Sequence, residues 1–129
     1  MSRKESREKL FQLVFEFCFV GKKNELSLEN TLKDVEDGEK IYISDIYLGI
    51  VDKFNELKDE IVAKATGFSF ERIFKVDLAI MLVSIYEMRF YNIPTAVSIN
   101  EAVNLAKKFS TEKSANFVNG VLAGFVVKK

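Results

Sequence analysis

The side chains with the most chemistry to offer are cationic. Arg3 and Arg7 stand four residues apart near the N-terminus, a spacing that places two side chains on one face of a helix. Lys4 can pair with Glu8, and Glu5 with Lys9, at the same spacing. The two arginines have no such partner and repel each other at the positive end of a helix dipole, at a cost of roughly 0.3 kcal/mol. The arrangement makes sense if an external anion arrives there, because a guanidinium binds phosphate bidentately and stacks on a base. The alternative is a frayed, solvated helix end. A second cluster comprises Lys107, Lys108, Lys113, Asn116, Phe117 and Asn119. Basic, amide and aromatic groups together suit single-stranded RNA, which offers phosphates and unstacked bases. Here the alternative is that Phe117 belongs to the core and the lysines are merely solvated.

Other chemistry is poorly supplied. His is absent, which removes the usual general base and the commonest transition-metal ligand. The single cysteine, Cys18, can form neither an internal disulfide nor a multi-cysteine metal site. The carboxylates show no metal-loop spacing, and there is no phosphate-cradling glycine loop or nucleophile elbow. The reading is a non-catalytic protein with no metal and no cofactor.

The elements that must position these groups read as helices. Ser2 and Glu5 fit a capping box opening a helix over residues 3–20. Leu10, Leu13, Val14 and Phe17 form one apolar stripe, with Phe11, Phe15 and Cys18 beside it. Gly21 to Asn24 reads as a turn. Residues 25–40 read as a short, weakly held helix and a loop. Ser44 is expected to cap a long helix running to about Ala65, with Ile46 or Tyr47, Ile50, Phe54, Leu57 and Ile61 inward and Gly67 ending it. Ser69 opens a short helix carrying Phe70, Ile73 and Phe74. Residues 76–91 are apolar nearly all round and should form the central helix. Ser98 and Glu101 fit a second capping box, opening a helix with Ile99, Ala102, Val103 and Ala106 inward. Thr111 caps the last helix, whose inward residues are Val118, Val121, Leu122 and Phe125. Gly120 and Gly124, one turn apart, would let another helix approach closely.

That makes about seven helices and no strand. With 129 residues, 48% of them hydrophobic, one proline and six glycines, the chain fits one all-α domain. Its natural halves are residues 1–66 and 67–129. The longest apolar run, Leu78 to Tyr86, is far short of the roughly 18 residues of a membrane span. A cytoplasmic protein is expected. The formal net charge is zero, yet residues 1–23 carry +3, residues 24–60 carry −7 and residues 61–129 carry +4. Such asymmetry fits one face for an anion and another that avoids it, or an ordinary solvated surface.

Four stretches carry a family resemblance. Ile93-Pro94 followed by Val97-Ser98-Ile99-Asn100-Glu101-Ala102-Val103-Asn104-Leu105-Ala106-Lys107-Lys108-Phe109 resembles the NusB family pattern I/V-P-x-x-V-x-I-N-E-A-V/I-E-L-A-K-x-F/Y. Ser114-Ala115-Asn116-Phe117-Val118-Asn119-Gly120-Val121-Leu122 resembles its S-x-K-F-V-N-G-V/I-L. The central run from Val76 through Glu87 is similar to V-D-R-A-I-L-R-L-A-x-Y-E, and Arg3 with Arg7 to the R-x-x-A-R opening.

The resemblance implies a seven-helix fold of two small bundles. It implies a transcription antitermination factor that binds boxA-type single-stranded RNA in ribosomal RNA leaders. The implied partners are the ribosomal protein that doubles as NusE and the antitermination complex of RNA polymerase. The implied RNA contacts are Arg3, Lys4, Arg7, Gln12, Lys113, Asn116 and Phe117. The implied NusE-facing residues are Phe15, Glu71 and Asp77. Some relatives self-associate, so the resemblance also leaves a homodimer open. The chain departs from the family at Leu78 and Leu82, which occupy commonly basic positions and could add an apolar contact between copies. Two other readings compete: a fragment of a ribosomal RNA cytosine methyltransferase, and a helical adaptor that binds protein only. Four or five phosphate contacts would give a log–log salt slope of roughly −3.

Overall fold

The structure, a computed structural model, describes residues 2–125. In chain order it has α1 (Arg3–Val20), α2 (Glu25–Leu32), α3 (Asp37–Asp52), α4 (Phe54–Lys64), a 3-10 turn (Phe70–Arg72), α5 (Lys75–Phe90), α6 (Thr95–Phe109) and α7 (Glu112–Ala123). There is no strand among the described residues. The expected all-α, seven-helix architecture is present.

α5 is the axis of the fold, as its all-round apolar sequence requires. Leu78, Ala79, Ile80, Met81 and Leu82 are all 0% exposed, and α5 packs against α1, α3, α4, α6 and α7. α1 lays Leu10, Leu13, Val14 and Phe17 into this core together with Phe11, leaving Phe15 and Cys18 half-buried. Leu78 and Leu82 are therefore core residues. The expectation that they add a contact between copies is wrong, because neither reaches the surface.

Of the expected helix caps, those at Ser2, Thr111 and Gly21 form, and Ser98 and Ser44 lie inside their helices. Ser2 Oγ accepts from the Glu5 backbone N–H at 3.2 Å, and Glu5 Oε1 accepts from the Ser2 N–H at 3.4 Å, completing the capping box. Thr111 Oγ1 accepts from the Ser114 N–H at 3.0 Å. Gly21, at φ 84°, closes α1 in the left-handed region.

Ser98 caps nothing. α6 begins at Thr95, directly behind Pro94, and Ser98 is buried inside it. There its hydroxyl lies 2.8 Å from Ser84 Oγ and donates to the Ser84 carbonyl at 3.0 Å, joining α6 to α5.

Ser44 lies within α3. That helix starts seven residues earlier, at Asp37, where Asp37 and Glu39 complement the dipole. The long helix expected there is broken at Lys53 into α3 and α4. Across the break the Phe54 ring meets Phe17 of α1 edge-on, with centroids 5.2 Å apart. The second helix ends at Lys64, before Gly67. The short helix after Ser69 is a single 3-10 turn. Gly120 has open space around it, and Gly124 meets only its own helix and the Lys64 side chain. The pair seats no helix among the described residues.

Candidate nucleic-acid interface

Arg7 points inward from α1 and is 7% exposed. Its Nε donates to Glu87 Oε1 and its Nη2 to Glu87 Oε2, each at 2.8 Å. Nη1 lies 3.4 Å from Glu101 of α6. The Tyr42 hydroxyl of α3 donates to Glu87 Oε1 at 3.1 Å. One buried carboxylate thus ties α1 and α3 to α5. Burial works against the Arg7 charge, but the hydrogen bonds and attraction of Glu87 outweigh it and raise the guanidinium pKa further. Burial, then the Glu87 charge, pushes the Tyr42 hydroxyl up.

Arg3 lies 3.9 Å above the Tyr42 ring centroid and pairs with Glu39 through bonds of 2.9 and 3.0 Å. That hydrogen bonding holds the Glu39 carboxyl down at about 2. The expectation of two unpartnered arginines is therefore corrected. Both are satisfied by carboxylates far away in sequence, Glu39 and Glu87, which no i,i+4 rule could find. The local pairs also fail to form as expected. Glu5 turns back to cap α1, and Glu8 reaches Lys108 of α6 at 2.6 Å. Lys4 is left exposed with no ion-pair partner among the described residues.

Three grooves follow. The first, about 410 Å³, runs between α1 and α6 and is lined by Lys4, Arg7, Asn104, Lys107 and Lys108, with Glu8 and Glu101 on its wall. Gln12 is exposed two turns along α1 from Lys4. The second, about 390 Å³, lies between α6 and α7, with Ile99 and Val103 on its floor and Asn100, Asn116 and Asn119 around them. Lys107 lines both grooves and has no ion-pair partner among the described residues. The third lies between the 3-10 turn, the start of α5 and α7. It holds Phe68, Arg72, Phe74, Asp77, Lys113 and Phe117. Phe117 is half-buried with its ring 5.0 Å from that of Phe68, and the Arg72 guanidinium lies 5.8 Å from the Phe68 ring.

The cluster read along the sequence is thus divided by α7 itself. Lys113 and Phe117 look into the aromatic groove, and Asn116 into the amide-lined one. The residues that sequence reasoning missed are Tyr42, Glu39 and Glu87. A carboxylate at position 87, on a helix apolar nearly all round, was the one available signal of a buried partner.

The expected partner-facing residues have different settings. Phe15 is half-buried, its ring 6.3 Å from both Phe11 and Phe19, and Phe19 is 75% exposed. Glu71 is exposed on the 3-10 turn. Asp77 is only 3% exposed, which corrects its reading as a surface carboxylate. Its Oδ2 accepts from Ser114 Oγ at 3.1 Å, and its Oδ1 is buried without a partner. Burial raises its pKa. Among the described residues no group of His, Cys, Asp and Glu could hold a metal ion. No helix there is long and apolar enough to cross a membrane.

These features define a class: a seven-helix all-α protein, wound around one apolar helix, with lysine- and amide-lined grooves on either side of α6. The NusB family model matches residues 4–126, and the chain belongs to that family. The transcription antitermination protein NusB of Thermoanaerobacter sp. (strain X514) is 40% identical over 127 residues, covering 98% of this chain and 91% of that protein. The same-named protein of Agathobacter rectalis is 43% identical over 131 residues, covering 97% and 99%. The solved structure of T. maritima NusB superposes with a TM-score of 0.88 at 29% identity, over 96% of this chain and 89% of that one. A second structure, described as that of a plectonemic RNA supercoil, reaches 0.84 at 21% identity over 95% and 91%. It speaks to the fold alone. The chain is thus a transcription antitermination protein by family, and that family is a non-catalytic one.

Proposed function

We propose that this chain binds boxA-type single-stranded RNA together with the ribosomal protein NusE, in the cytoplasm. The assembly promotes read-through by RNA polymerase, notably in ribosomal RNA operons. The observation that carries this reading is the position of Lys107. It is exposed, has no ion-pair partner among the described residues and is shared by the α1/α6 and α6/α7 grooves, so it joins Lys4 on one side to Asn116 on the other.

Unpaired lysines spaced along a groove suit a backbone of phosphates, and Phe117 with Lys113 supplies a ring and a charge beside it. Arg3 is held by Glu39 and Tyr42 on the α3 side of α1. Arg7 holds α1 in place beneath this track. Phe15, next to the exposed Phe19, and Glu71 suit an apolar-plus-basic protein surface such as NusE. Asp77 lies beneath the aromatic groove, where it holds Ser114 of α7.

The test is a filter-binding titration with boxA-like and scrambled RNA. Preferential retention of the boxA-like strand is expected. Equal or absent retention of both would leave a protein-only adaptor.

A further inference from the structure

The groove between α6 and α7 has a composition of its own. Asn100, Asn116 and Asn119 are exposed along it, and none of their amides has a hydrogen-bond partner among the described residues. Each amide offers two N–H donors and one carbonyl acceptor, so together they can satisfy both the donor and the acceptor positions of a base edge. Ile99 and Val103 are half-buried beneath them and give an apolar floor, which suits the flat face of a base. One cation, Lys107, and one anion, Glu112, line the same groove. Its net charge is zero, so it is a poor track for phosphates. Its chemistry is directed at uncharged, polar-edged rings. From Asn100 to Lys107 is two helical turns, about 10 Å. Lys107, at that end, also lines the cationic α1/α6 cleft.

We infer that the α6/α7 groove is a base-reading subsite of the RNA site. Nucleotides that continue past the phosphate held at Lys107 lay their bases on Ile99 and Val103 and are hydrogen-bonded by Asn100 and Asn119. This rests on the RNA-binding reading above. It adds a source of sequence preference that does not depend on charge.

The test uses boxA-like RNA trimmed to the shortest strand that still binds, and the same strand extended by about four nucleotides at either end, the length a small single-strand clamp holds. The parent and the double variant Asn100→Ala, Asn119→Ala are compared, with matching helical content. For the parent, extension at one end should tighten binding about three- to tenfold, the worth of one or two hydrogen bonds. The double variant should lose that gain, bind the trimmed strand as the parent does, and keep the parent's salt slope, because amides displace no counterions.

Extension that adds nothing at either end, or a gain that survives in the double variant, would overturn the inference. So would unchanged RNA binding with weakened binding of the protein partner, which would assign the groove to protein. A parent that binds no boxA-like strand at all would overturn the underlying reading instead, and so is told apart from failure of the subsite.

Discussion

Arg7 and Glu87, eighty residues apart, meet through two 2.8 Å hydrogen bonds in the interior of the protein. The side-chain exposures are 9% and 2%. Removing one partner of such a pair strands the other charge. Arg7→Gln is therefore expected to lower the free energy of unfolding by about 3 to 5 kcal/mol. Arg3→Gln, which breaks a much more exposed pair with Glu39, should cost under about 1 kcal/mol. Urea unfolding of the two variants checks this. Equal, small losses would mean that Arg7 does not anchor α1. The same geometry makes Arg7→Glu a poor probe of RNA binding, since it sets a third carboxylate against Glu87 and Glu101.

The cleaner probes of the RNA surface are the unpaired lysines. Lys107→Glu and Lys4→Glu should each weaken boxA-type RNA binding while leaving the fold intact. Each should also make the log–log salt slope shallower by about 0.7. Affinity measured at several salt concentrations tests this. An unchanged slope for Lys107→Glu would remove it from the phosphate track.

Two carboxylates should give opposite pH signatures. Burial raises the Asp77 pKa. The folded state then holds its proton more tightly, and ionisation costs stability as pH rises through the folded value. Asp77→Asn should raise the thermal midpoint at pH 7 by a few degrees, and the gain should vanish below about pH 4, where both states are protonated. Glu39 is held down at about 2 by Arg3. Its contribution is present above about pH 4.3 and is lost as pH falls toward 2. Glu39→Gln should therefore destabilise at pH 7 and not at pH 2. Parallel pH profiles for the two variants would contradict the assignment.

Gly49 of α3 lies under Tyr86 of α5. A Cβ built there would overlap the Tyr86 hydroxyl oxygen and ring. Alanine is the better helix former by about 1 kcal/mol, yet Gly49→Ala should destabilise, by about 1 to 3 kcal/mol. In a Tyr86→Ala background the same substitution should be neutral or stabilising. A double-mutant cycle with no coupling would show that the close approach does not matter.

Much of this was legible in the chain, and the failures have a common cause. Ser2 with Glu5 and Thr111 announced their caps because capping is local. The apolar run of α5 announced its central place because a helix buried on all sides has no polar face to keep. Ser98 and Ser44 carried the same local signature without the role. At Ser98 the tertiary contact with Ser84 prevailed, and at Ser44 an acidic start at Asp37 lay further upstream. The arginines looked unpartnered because only neighbours in sequence were in view, and Glu39 and Glu87 arrive through the fold. Asp77 could not be told from a surface residue by type alone, and Leu82 read as exposed only because the family pattern is basic there. Their burial follows from how α5 is enclosed.

The central claim is cooperative RNA binding, and the salt dependence of RNA affinity tests it most directly. With Arg7 buried in an ion pair and Arg3 held by Glu39, the phosphate contacts left to this chain are Lys4, Lys107 and Lys113. The slope of roughly −3 read from the sequence becomes about −2. Such a binder alone loses much of its affinity at cellular salt. NusE docked beside the track would add cations, and binding of RNA and of NusE would strengthen each other. The measurement is boxA-type RNA affinity at low and high salt, with and without NusE. The expected result is a slope near −2 alone and tighter binding with a steeper slope when NusE is present. Affinity and slope unchanged by NusE would contradict the account.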